Sequence, residues 1–293
     1  MIAARLRTYA SFVRLSHSVF ALPFALAGAL LAAQRVTVTW PTVVWILVAM
    51  VGARSAAMAH NRLADRKIDA ANPRTAGRAL PSGALSVDFV RAFLAASVIL
   101  FLLAAASLNR LAFALSPLAL GLLFLYAYTK RFTSLSHFVL GLCLALAPVG
   151  AWVAVRGSLA LLPVLLGLAV LVWTSGFDML YALQDEAFDR KAGLNSLPAR
   201  WGVKRTLAVS AILHAVMLPL LVAAWKVAGG GWLFAVGIAL TGAALVYQHA
   251  IVKPGDFSRL DAAFFAANGF VSVTLALCGI GDVLLRQPPP PGG

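Results

Sequence analysis

Residues 159–189 read LALLPVLLGLAVLVWTSGFDMLYALQDEAFD, a hydrophobic run that ends in spaced acids. The apolar part is long enough to cross the roughly 30 Å hydrocarbon core of a bilayer as a helix. Asp178, Asp185 and Asp189 follow one another at intervals of seven and four residues, so a helix would carry their carboxylates on one face. The stretch therefore predicts a membrane-spanning helix with acids grouped toward one end.

A second stretch of the same kind lies in the first third of the chain. It reads NRLADRKID over residues 61–69 and follows an apolar run at 41–60, with Asn61, Asp65 and Asp69 at four-residue intervals. Once Glu186 is counted, the two stretches hold six of the chain's 10 acids. Such an uneven distribution indicates that the acids serve a function.

The composition extends the membrane assignment to the whole chain. Hydrophobic residues make up 61%, charged residues only 12%, and the mean hydropathy is +0.89, which is too apolar for an average soluble domain. We expect an all-α polytopic membrane protein with nine spanning helices, or eight as the alternative count. The predicted spans are 16–34, 41–60, 87–107, 111–128, 137–155, 159–182, 206–226, 232–251 and 262–285.

The distribution of basic residues predicts the topology. The net charge of +14 raises the question of nucleic acid, but attraction to the anionic cytoplasmic face of a membrane explains it better. In a nine-span arrangement, one side holds 17 basic residues and the other holds 5, so the N-terminus is expected in the cytoplasm and the C-terminus outside. Both acidic stretches then fall on the cytoplasmic side, where they can share a central cavity open to the cytoplasm.

One domain accounts for nearly all of the chain. We expect it to cover residues 1–287, with a flexible Pro/Gly tail at 288–293. The basic segment 1–15 leads into a full-length span without a small-residue cleavage site, so no removable signal peptide is expected. Cys143 and Cys278 both lie in apolar runs, which favours a packing role over a disulfide or a metal site.

The acidic stretches need positive charge near them, because carboxylates four residues apart on a helix repel one another. One interpretation is salt bridging to the neighbouring Arg and Lys side chains. The other is Mg²⁺, which prefers oxygen ligands and is commonly held by carboxylates together with substrate phosphates. Basic residues interleaved with the acids suit phosphate oxygens, so the pattern is typical of a metal–diphosphate site. With His60 the only nearby histidine and no cysteine in either stretch, zinc is not expected.

Other polar residues occur within or beside the predicted spans. Arg54 lies inside the second span, where it either faces a cavity or pairs with an acid such as Asp178 to hold helices together. Tyr126 and Lys130 are four residues apart at the cytoplasmic end of the fourth span, where interfacial anchoring is the alternative to a functional role.

The histidines give weaker signals. His214 and His249, on late spans, favour packing or an interfacial position over ligation. His17 and His137 begin predicted spans near the cytoplasmic side, where a role in substrate binding has no further support from the sequence.

These motifs resemble those of the UbiA superfamily of intramembrane aromatic prenyltransferases. Residues 61–69, followed by RTAGRALPSG at 74–83, resemble its first motif, and DMLYALQDEAFDRKAG at 178–193 resembles its second. YAYTKR at 126–131 resembles an intervening motif. One departure is visible: many members have Asp directly after the Asn of motif one, whereas this chain has Arg62.

The resemblance implies roles for individual residues. Magnesium ligands would be Asn61, Asp65, Asp69, Asp185 and Asp189. Contacts to the diphosphate would come from Asn61, Arg66, Lys67, Arg74, Arg78, Lys130, Arg131 and Lys191. The catalytic set would be Arg54, Tyr126, Lys130, Asp178 and Asp185.

The resemblance also implies an activity and its place in the cell. The N-terminal SHSVFALP at 16–23 and the Asn-Arg-x-x-Asp form of motif one look most like bacterial 4-hydroxybenzoate polyprenyltransferase-like enzymes. Expected partners are a polyprenyl diphosphate, a small aromatic acceptor and membrane lipid, with Mg²⁺ as cofactor and the bacterial cytoplasmic membrane as location. No nucleic-acid partner is expected. Prenylation of a dihydroxynaphthoate in menaquinone synthesis remains an alternative to ubiquinone synthesis.

Two unrelated classes fit the sequence less well. CDP-alcohol phosphotransferases also carry spaced aspartates in membrane helices, but in one motif that begins Asp-Gly, a pair absent from this chain. A cation or proton transporter would favour acids near mid-membrane, whereas these acids, apart from Asp178, fall at the predicted cytoplasmic edge.

Overall fold

The computed structural model describes Phe12, residues 18–34 and residues 36–286. Within them the regular structure is helical, and the single β pairing is an isolated bridge between Lys253 and Asp256. The predicted all-α architecture is confirmed. The basic N-terminal residues used in the topology count, together with His17, Arg35 and the 288–293 tail, lie outside the described residues.

Twelve α-helices make up the described part of the chain. In chain order they are α1 Ser18–Ala33, α2 Trp40–Ala64, α3 Arg66–Ala71, α4 Val87–Leu108, α5 Arg110–Thr129, α6 Ser136–Arg156, α7 Leu161–Ala182, α8 Glu186–Lys191, α9 Leu197–Trp201, α10 Val203–Val227, α11 Trp232–Ile251 and α12 Asn268–Arg286. A 3₁₀ turn at Leu183–Asp185 links α7 to α8, and a π-helical segment at Ala262–Ala267 precedes α12.

Eight helical stretches of the described chain are long and apolar enough to cross a membrane. They are built on α2, α4, α5, α6, α7, α10, α11 and α12. The described part of the predicted first span is α1, which has 16 residues and is shorter than the other spans. Eight spans are thus established by length and composition, and the ninth stays a prediction.

Large apolar side chains cover the outside of the helix bundle. Leu118, Val246 and Leu277 are 72%, 72% and 64% exposed, values that would be costly in water but suit contact with lipid tails. The chain is an integral membrane protein.

The helices form two groups that share α6. On one side α2 packs against α4, and α5 contacts α2, α4 and α6. On the other side α7 packs against α10, α10 against α11, α11 against α12, and α1 closes the group against α12 and α6. The centre of this second group is aromatic, with Trp173 and Phe177 of α7 against Phe20 and Phe24 of α1. Helix α7 is the most buried span, and its acid-bearing end is therefore fixed inside the protein.

Helices α6 and α7 approach each other at backbone distance. A Cβ added at Gly141 of α6 would lie 2.4 Å from the carbonyl oxygen of Leu171 and 2.5 Å from Oγ of Ser175 on α7. Small residues permit such close contact between membrane helices. The contact sets the beginning of α6 beside the half of α7 that carries Asp178.

Neither acidic motif forms a single continuous helix. Helix α2 ends at Ala64 and α3 begins at Arg66, while α7 ends at Ala182 and α8 begins at Glu186. The prediction that each motif lines one face of an unbroken helix is wrong at Asp65 and Asp185. Aspartate is a poor helix former, and both residues adopt backbone angles between the helical and extended regions, where many active-site residues are found.

Candidate active site

The two motifs meet through the loop that follows motif one. Nε of Arg74 donates to Oδ1 of Asp185 at 2.8 Å, and Nη2 donates to Oδ2 in a second short contact. Nδ2 of Asn72 donates to the same Oδ1 at 3.2 Å. The guanidinium of Arg74 also lies 5.6 Å from the centre of the Tyr181 ring. Sequence segments from the two halves of the chain therefore form one site.

Asp69 is the buried acid of motif one. Its Oδ1 accepts a hydrogen bond from Nη1 of Arg78 at 2.6 Å. Among the described residues its Oδ2 has no hydrogen-bond donor, and Nη1 of Arg62 lies 3.7 Å from it. The loop is fixed at this point because Oγ1 of Thr75 donates to the backbone carbonyl of Asp69 at 2.9 Å.

Asp65 is held at the end of α2 by a side chain from the turn that follows α5. Nη2 of Arg131 donates to Oδ1 of Asp65 at 3.2 Å and to the carbonyl oxygen of Ala64 at 2.6 Å. Nδ2 of Asn61 donates to Oδ2 of Asp65 at 3.1 Å. Burial raises the pKa of Asp65 above its ordinary value, against the opposing hydrogen bond from Arg131, and the negative charge of Asp69 raises it further. The positive charge near this carboxylate is too small to offset the cost of burying its negative charge.

Lys130 lies between the two motifs. Its Nζ is 3.8 Å from Oδ2 of Asp189, and its charge also acts on Asp65 and Asp185. The backbone N–H of Asn195, in the loop after motif two, donates to the carbonyl oxygen of Lys130 at 2.8 Å. The end of α5 thus joins the ends of α2 and α7.

The two motifs share a backbone geometry. Asp65 has φ −93° and ψ 7°, and Asp185 has φ −101° and ψ 1°. Each is followed by a six-residue helix that carries a buried aspartate four positions on, Asp69 in one and Asp189 in the other. Each of these aspartates has a buried Oδ2 atom that accepts no hydrogen bond from the part of the chain that the structure describes. The two motifs therefore share a backbone geometry as well as a spacing of acids.

A divalent cation fits the donor set of this site. Among the described residues no three carboxylate, imidazole or thiol groups are already gathered as a metal site, and the acids are paired with basic side chains. The salt bridges considered in the sequence analysis are therefore present. Yet a buried carboxylate oxygen without a donor is costly, and one such oxygen comes from each motif. Hard carboxylate oxygens of this kind, which have a cation nearby but accept no hydrogen bond from the described residues, are suitable ligands for Mg²⁺.

Comparison with known proteins decides the family. The sequence profile of the UbiA prenyltransferase family matches residues 21–271. The chain belongs to this family. It is 32% identical over 237 residues to the 4-hydroxybenzoate octaprenyltransferase of Salmonella paratyphi B, an alignment that covers 80% of this chain and 81% of the relative. Enzymes of the same name from Salmonella newport and Salmonella heidelberg match equally well.

Solved structures of UbiA homologues share the fold. The apo structure of a homologue from Aeropyrum pernix K1 superposes with a TM-score of 0.79 at 35% identity, covering 92% of this chain and 97% of that chain. A homologue from Archaeoglobus fulgidus, solved with GPP and Mg²⁺, superposes with a TM-score of 0.71 at 22% identity over 94% and 99% of the two chains. Our protein is accordingly an aromatic prenyltransferase of the UbiA family, and the transporter hypothesis is set aside.

The remaining candidates for the UbiA catalytic set lie on the membrane side of the acids. Tyr126 of α5 is within electrostatic range of both Asp65 and Asp178. Asp178 pairs with His137, whose Nδ1 is 2.7 Å from Oδ2. The partner of Asp178 is therefore His137, whereas the sequence analysis considered Arg54. Arg54 is half-buried on α2.

Three predicted diphosphate ligands are not drawn into the site. Arg66, Lys67 and Lys191 are exposed, and within the described part of the chain none of them forms an ion pair. The other basic candidates, Arg74, Arg78, Lys130 and Arg131, all contact acids of the two motifs.

Sequence reasoning missed three contributors to this UbiA site. Asn72 was not predicted to be a site residue. Arg62 was considered only as a departure from the family pattern, although it is buried and faces Asp69. His137 was seen as the start of a span, and its pairing with Asp178 required knowledge of how α6 packs on α7. The one available signal was a histidine at the expected cytoplasmic edge of a span.

Proposed function

We propose that this UbiA-family enzyme transfers a polyprenyl group from a polyprenyl diphosphate to 4-hydroxybenzoate, in the route to ubiquinone. The choice of acceptor rests on the relatives named for that activity, which share 32% identity over 80% of this chain. The site assignment rests on two buried carboxylate oxygens that accept no hydrogen bond from the described residues. They are Oδ2 of Asp69 and Oδ2 of Asp189, one in each motif.

Asn61, Asp65, Asp69, Asp185 and Asp189 are the proposed ligands of Mg²⁺. Bound there, the ion would neutralise charge on the departing diphosphate. The Archaeoglobus fulgidus homologue was solved with GPP and Mg²⁺, which supports the choice of metal and of an isoprenyl diphosphate as donor.

The basic side chains around the acids have a second role in this proposal. Arg74, Arg78, Lys130 and Arg131 neutralise carboxylates in the present structure. When the diphosphate and its metal arrive, the same cations can turn to phosphate oxygens, because the metal then supplies the charge that the carboxylates require. A planar guanidinium such as that of Arg74 suits bidentate contact with either partner.

The chemistry is an exchange of bonds at the allylic carbon of the donor. The C–O bond to diphosphate breaks, a ring carbon of the acceptor forms the new C–C bond, and the ring loses a proton. Lys130 and the arginines stabilise the leaving group, an electrostatic contribution that is often the largest in catalysis. Tyr126 can shelter the positive charge that develops on the allylic carbon with its ring face.

Asp178 is assigned the role of binding the hydroxyl of the aromatic acceptor. Its side chain is 16% exposed, and it lies seven residues before Asp185, deeper along α7. A carboxylate at that depth can accept a hydrogen bond from the acceptor hydroxyl, which makes the ring more electron-rich. The apolar helices around it supply the environment for the polyprenyl tail.

The proposed location is the bacterial cytoplasmic membrane, with the N-terminus and the active site on the cytoplasmic side and the C-terminus outside. The excess of basic residues on the motif side supports this orientation.

An assay of purified protein tests the function. The protein is incubated with Mg²⁺, polyprenyl diphosphates of several lengths and a panel of hydroxylated aromatic acids that includes 4-hydroxybenzoate and a dihydroxynaphthoate, and products are identified by mass. We expect prenylated 4-hydroxybenzoate, and we expect this product to be lost in Asp65→Ala and Asp185→Ala variants that remain folded. Asp88→Ala is the matched control, because Asp88 is 90% exposed at the start of α4. Full activity in both site variants, or product only from the naphthoate, would overturn the assignment.

A further inference from the structure

His137 is buried completely and contacts the acid that the proposed function assigns to the acceptor. It is the second residue of α6, and its ring lies between α7 and the loop that follows motif two. Nδ1 is 2.7 Å from Oδ2 of Asp178, and Nε2 is 3.5 Å from the backbone nitrogen of Leu197. The ring therefore links Asp178 to a loop that begins beside Asp189.

The two contacts define which nitrogen carries the proton. Leu197 is the first residue of α9, so its N–H has no acceptor within that helix and donates to Nε2 of His137. Nε2 is then the acceptor nitrogen, and a neutral imidazole has its proton on Nδ1, where it donates to Asp178. A ring fixed at both nitrogens orients the carboxylate in one direction.

The carboxylate of Asp178 is held by one oxygen only. Within the described part of the chain Oδ2 is bound by His137, while Oδ1 accepts no hydrogen bond and is not among the buried atoms that lack a donor. The side chain keeps 16% of its surface exposed, whereas His137 keeps none. Asp178 can thus reach a ligand through Oδ1, and the histidine cannot.

The backbone of His137 is fixed as firmly as its ring. Oγ of Ser175 on α7 donates to the carbonyl oxygen of His137 at 3.2 Å, one turn from Asp178. The close approach at Gly141 lies one turn further along α6. The position of the imidazole relative to α7 is therefore set by contacts that do not involve Asp178.

We propose that His137 is a positioning residue for the prenyl transfer, which holds Asp178 with Oδ1 directed to the hydroxyl of the aromatic acceptor and links that orientation to the loop after motif two. The inference rests on the proposed function, since it assumes that Asp178 binds the acceptor. It assigns to His137 no contact with the donor, with the metal or with the reacting atoms.

Substitutions that keep or remove the Nδ1 donor separate this role from a purely structural one. Asn places an amide N–H close to the position of Nδ1, whereas Leu fills the space without a donor. For His137→Leu we expect kcat/KM for the acceptor to fall by about ten- to a hundredfold. This is the range found when a side chain that orients a ligating residue through a hydrogen bond is lost. The KM values for the prenyl diphosphate and Mg²⁺ should stay within about twofold, and His137→Asn should recover most of the loss.

Ser210→Ala is the matched control. It removes the hydrogen bond from Oγ of Ser210 to the carbonyl oxygen of Gly176 on α7 and leaves both contacts of the His137 ring in place, so acceptor kinetics should not change. Calorimetric titration of the acceptor into the metal-free protein gives a readout other than turnover, and only the His137→Leu variant should bind more weakly. In the Asp178→Asn background, the further change His137→Leu should have little added effect, because the partner that it orients is already altered.

The outcomes distinguish this inference from the function on which it rests. If the wild type fails to prenylate any acceptor, the proposed function is wrong. Suppose instead that the wild type is active. If His137→Leu then lowers kcat/KM for the donor as much as for the acceptor, or His137→Asn recovers none of the lost activity, the positioning role is refuted while the function stands.

Discussion

Arg74 and Asp185 form a two-point ion pair between the two motifs, in which Nε donates to Oδ1 at 2.8 Å and Nη2 donates to Oδ2. Both oxygens of a proposed metal ligand are thus occupied by a cation in this structure. In the proposed complex with Mg²⁺, Asp185 would exchange this guanidinium for the metal, and Arg74 would then become available for the diphosphate. On this proposal, Arg74 and Mg²⁺ would compete for Asp185 before the donor binds and would both bind the diphosphate afterwards.

The first prediction follows from this competition. Arg74→Ala should increase the affinity for Mg²⁺ in the absence of donor by up to about tenfold, or ~1.4 kcal/mol. It should also raise the KM for the prenyl diphosphate. The Mg²⁺-dependent rise in melting temperature measures the first effect, and steady-state kinetics measures the second. Arg91→Ala, which breaks an exposed pair on α4, should change neither quantity. Equal or weaker Mg²⁺ binding in Arg74→Ala would contradict the competition.

A second prediction separates two lysines that the motif pattern treats alike. Lys130 acts on Asp65, Asp185 and Asp189, whereas Lys67 is exposed and forms no ion pair with the described residues. Lys130→Met should lower kcat/KM by about a hundredfold or more, the usual effect of losing one group that stabilises developing charge. Lys67→Met should remain within about twofold in the same assay. Comparable losses in both variants would show that exposed cations of motif one also bind the diphosphate.

The fold was largely predictable because long apolar runs have few alternatives in a bilayer. The predicted span 232–251 coincides with α11, and the span 87–107 differs from α4 by one residue. Larger errors occur at the helix ends that carry the acidic motifs, where α2 continues to Ala64 instead of ending at residue 60. The helix there remains regular after its sequence has become polar, and hydropathy cannot detect this.

The site was predictable as a set of residues but not as a set of contacts. Helical spacing identified Asp185 and Asp189, yet the partner of Asp185 is separated from it by 111 residues and depends on how the loop after α3 folds. Spacing also implied an unbroken helix, whereas tertiary contacts support a turn at Asp185. The pairing of His137 with Asp178 depends on the approach of α6 to α7, which no local pattern specifies.

The third prediction concerns the two buried acids. Asp69→Asn and Asp189→Asn preserve size but remove charge, so the Mg²⁺ concentration for half-maximal activity should rise and kcat should fall by about a hundredfold. Asp189→Asn should not lower the melting temperature of the metal-free protein, because Oδ2 of Asp189 has no hydrogen-bond donor and its nearest cation is 3.8 Å away. The substitution would then lower activity without lowering stability, as is common at active sites.

Metal titrations of activity and thermal unfolding without metal give the two readouts. Asp88→Asn serves as the control, since its side chain is 90% exposed and lies outside both motifs. A normal Mg²⁺ requirement in either site variant would remove that residue from the proposed ligand set.

The fourth prediction tests the contact that places α6 against α7. Gly141→Ala would put a methyl group 2.4 Å from the carbonyl oxygen of Leu171, so the helices must separate. Overpacking of this kind costs about 1–3 kcal/mol. Because His137 lies one turn away on α6, separation should also weaken its contact with Asp178 and lower activity. Gly150→Ala, on the same helix, meets nothing within 4 Å and should leave the protein as stable as before or slightly more stable, since alanine favours the helix. Thermal unfolding in detergent and the prenylation assay measure both effects. An unchanged melting temperature in Gly141→Ala would show that α6 and α7 tolerate a wider spacing than this structure has.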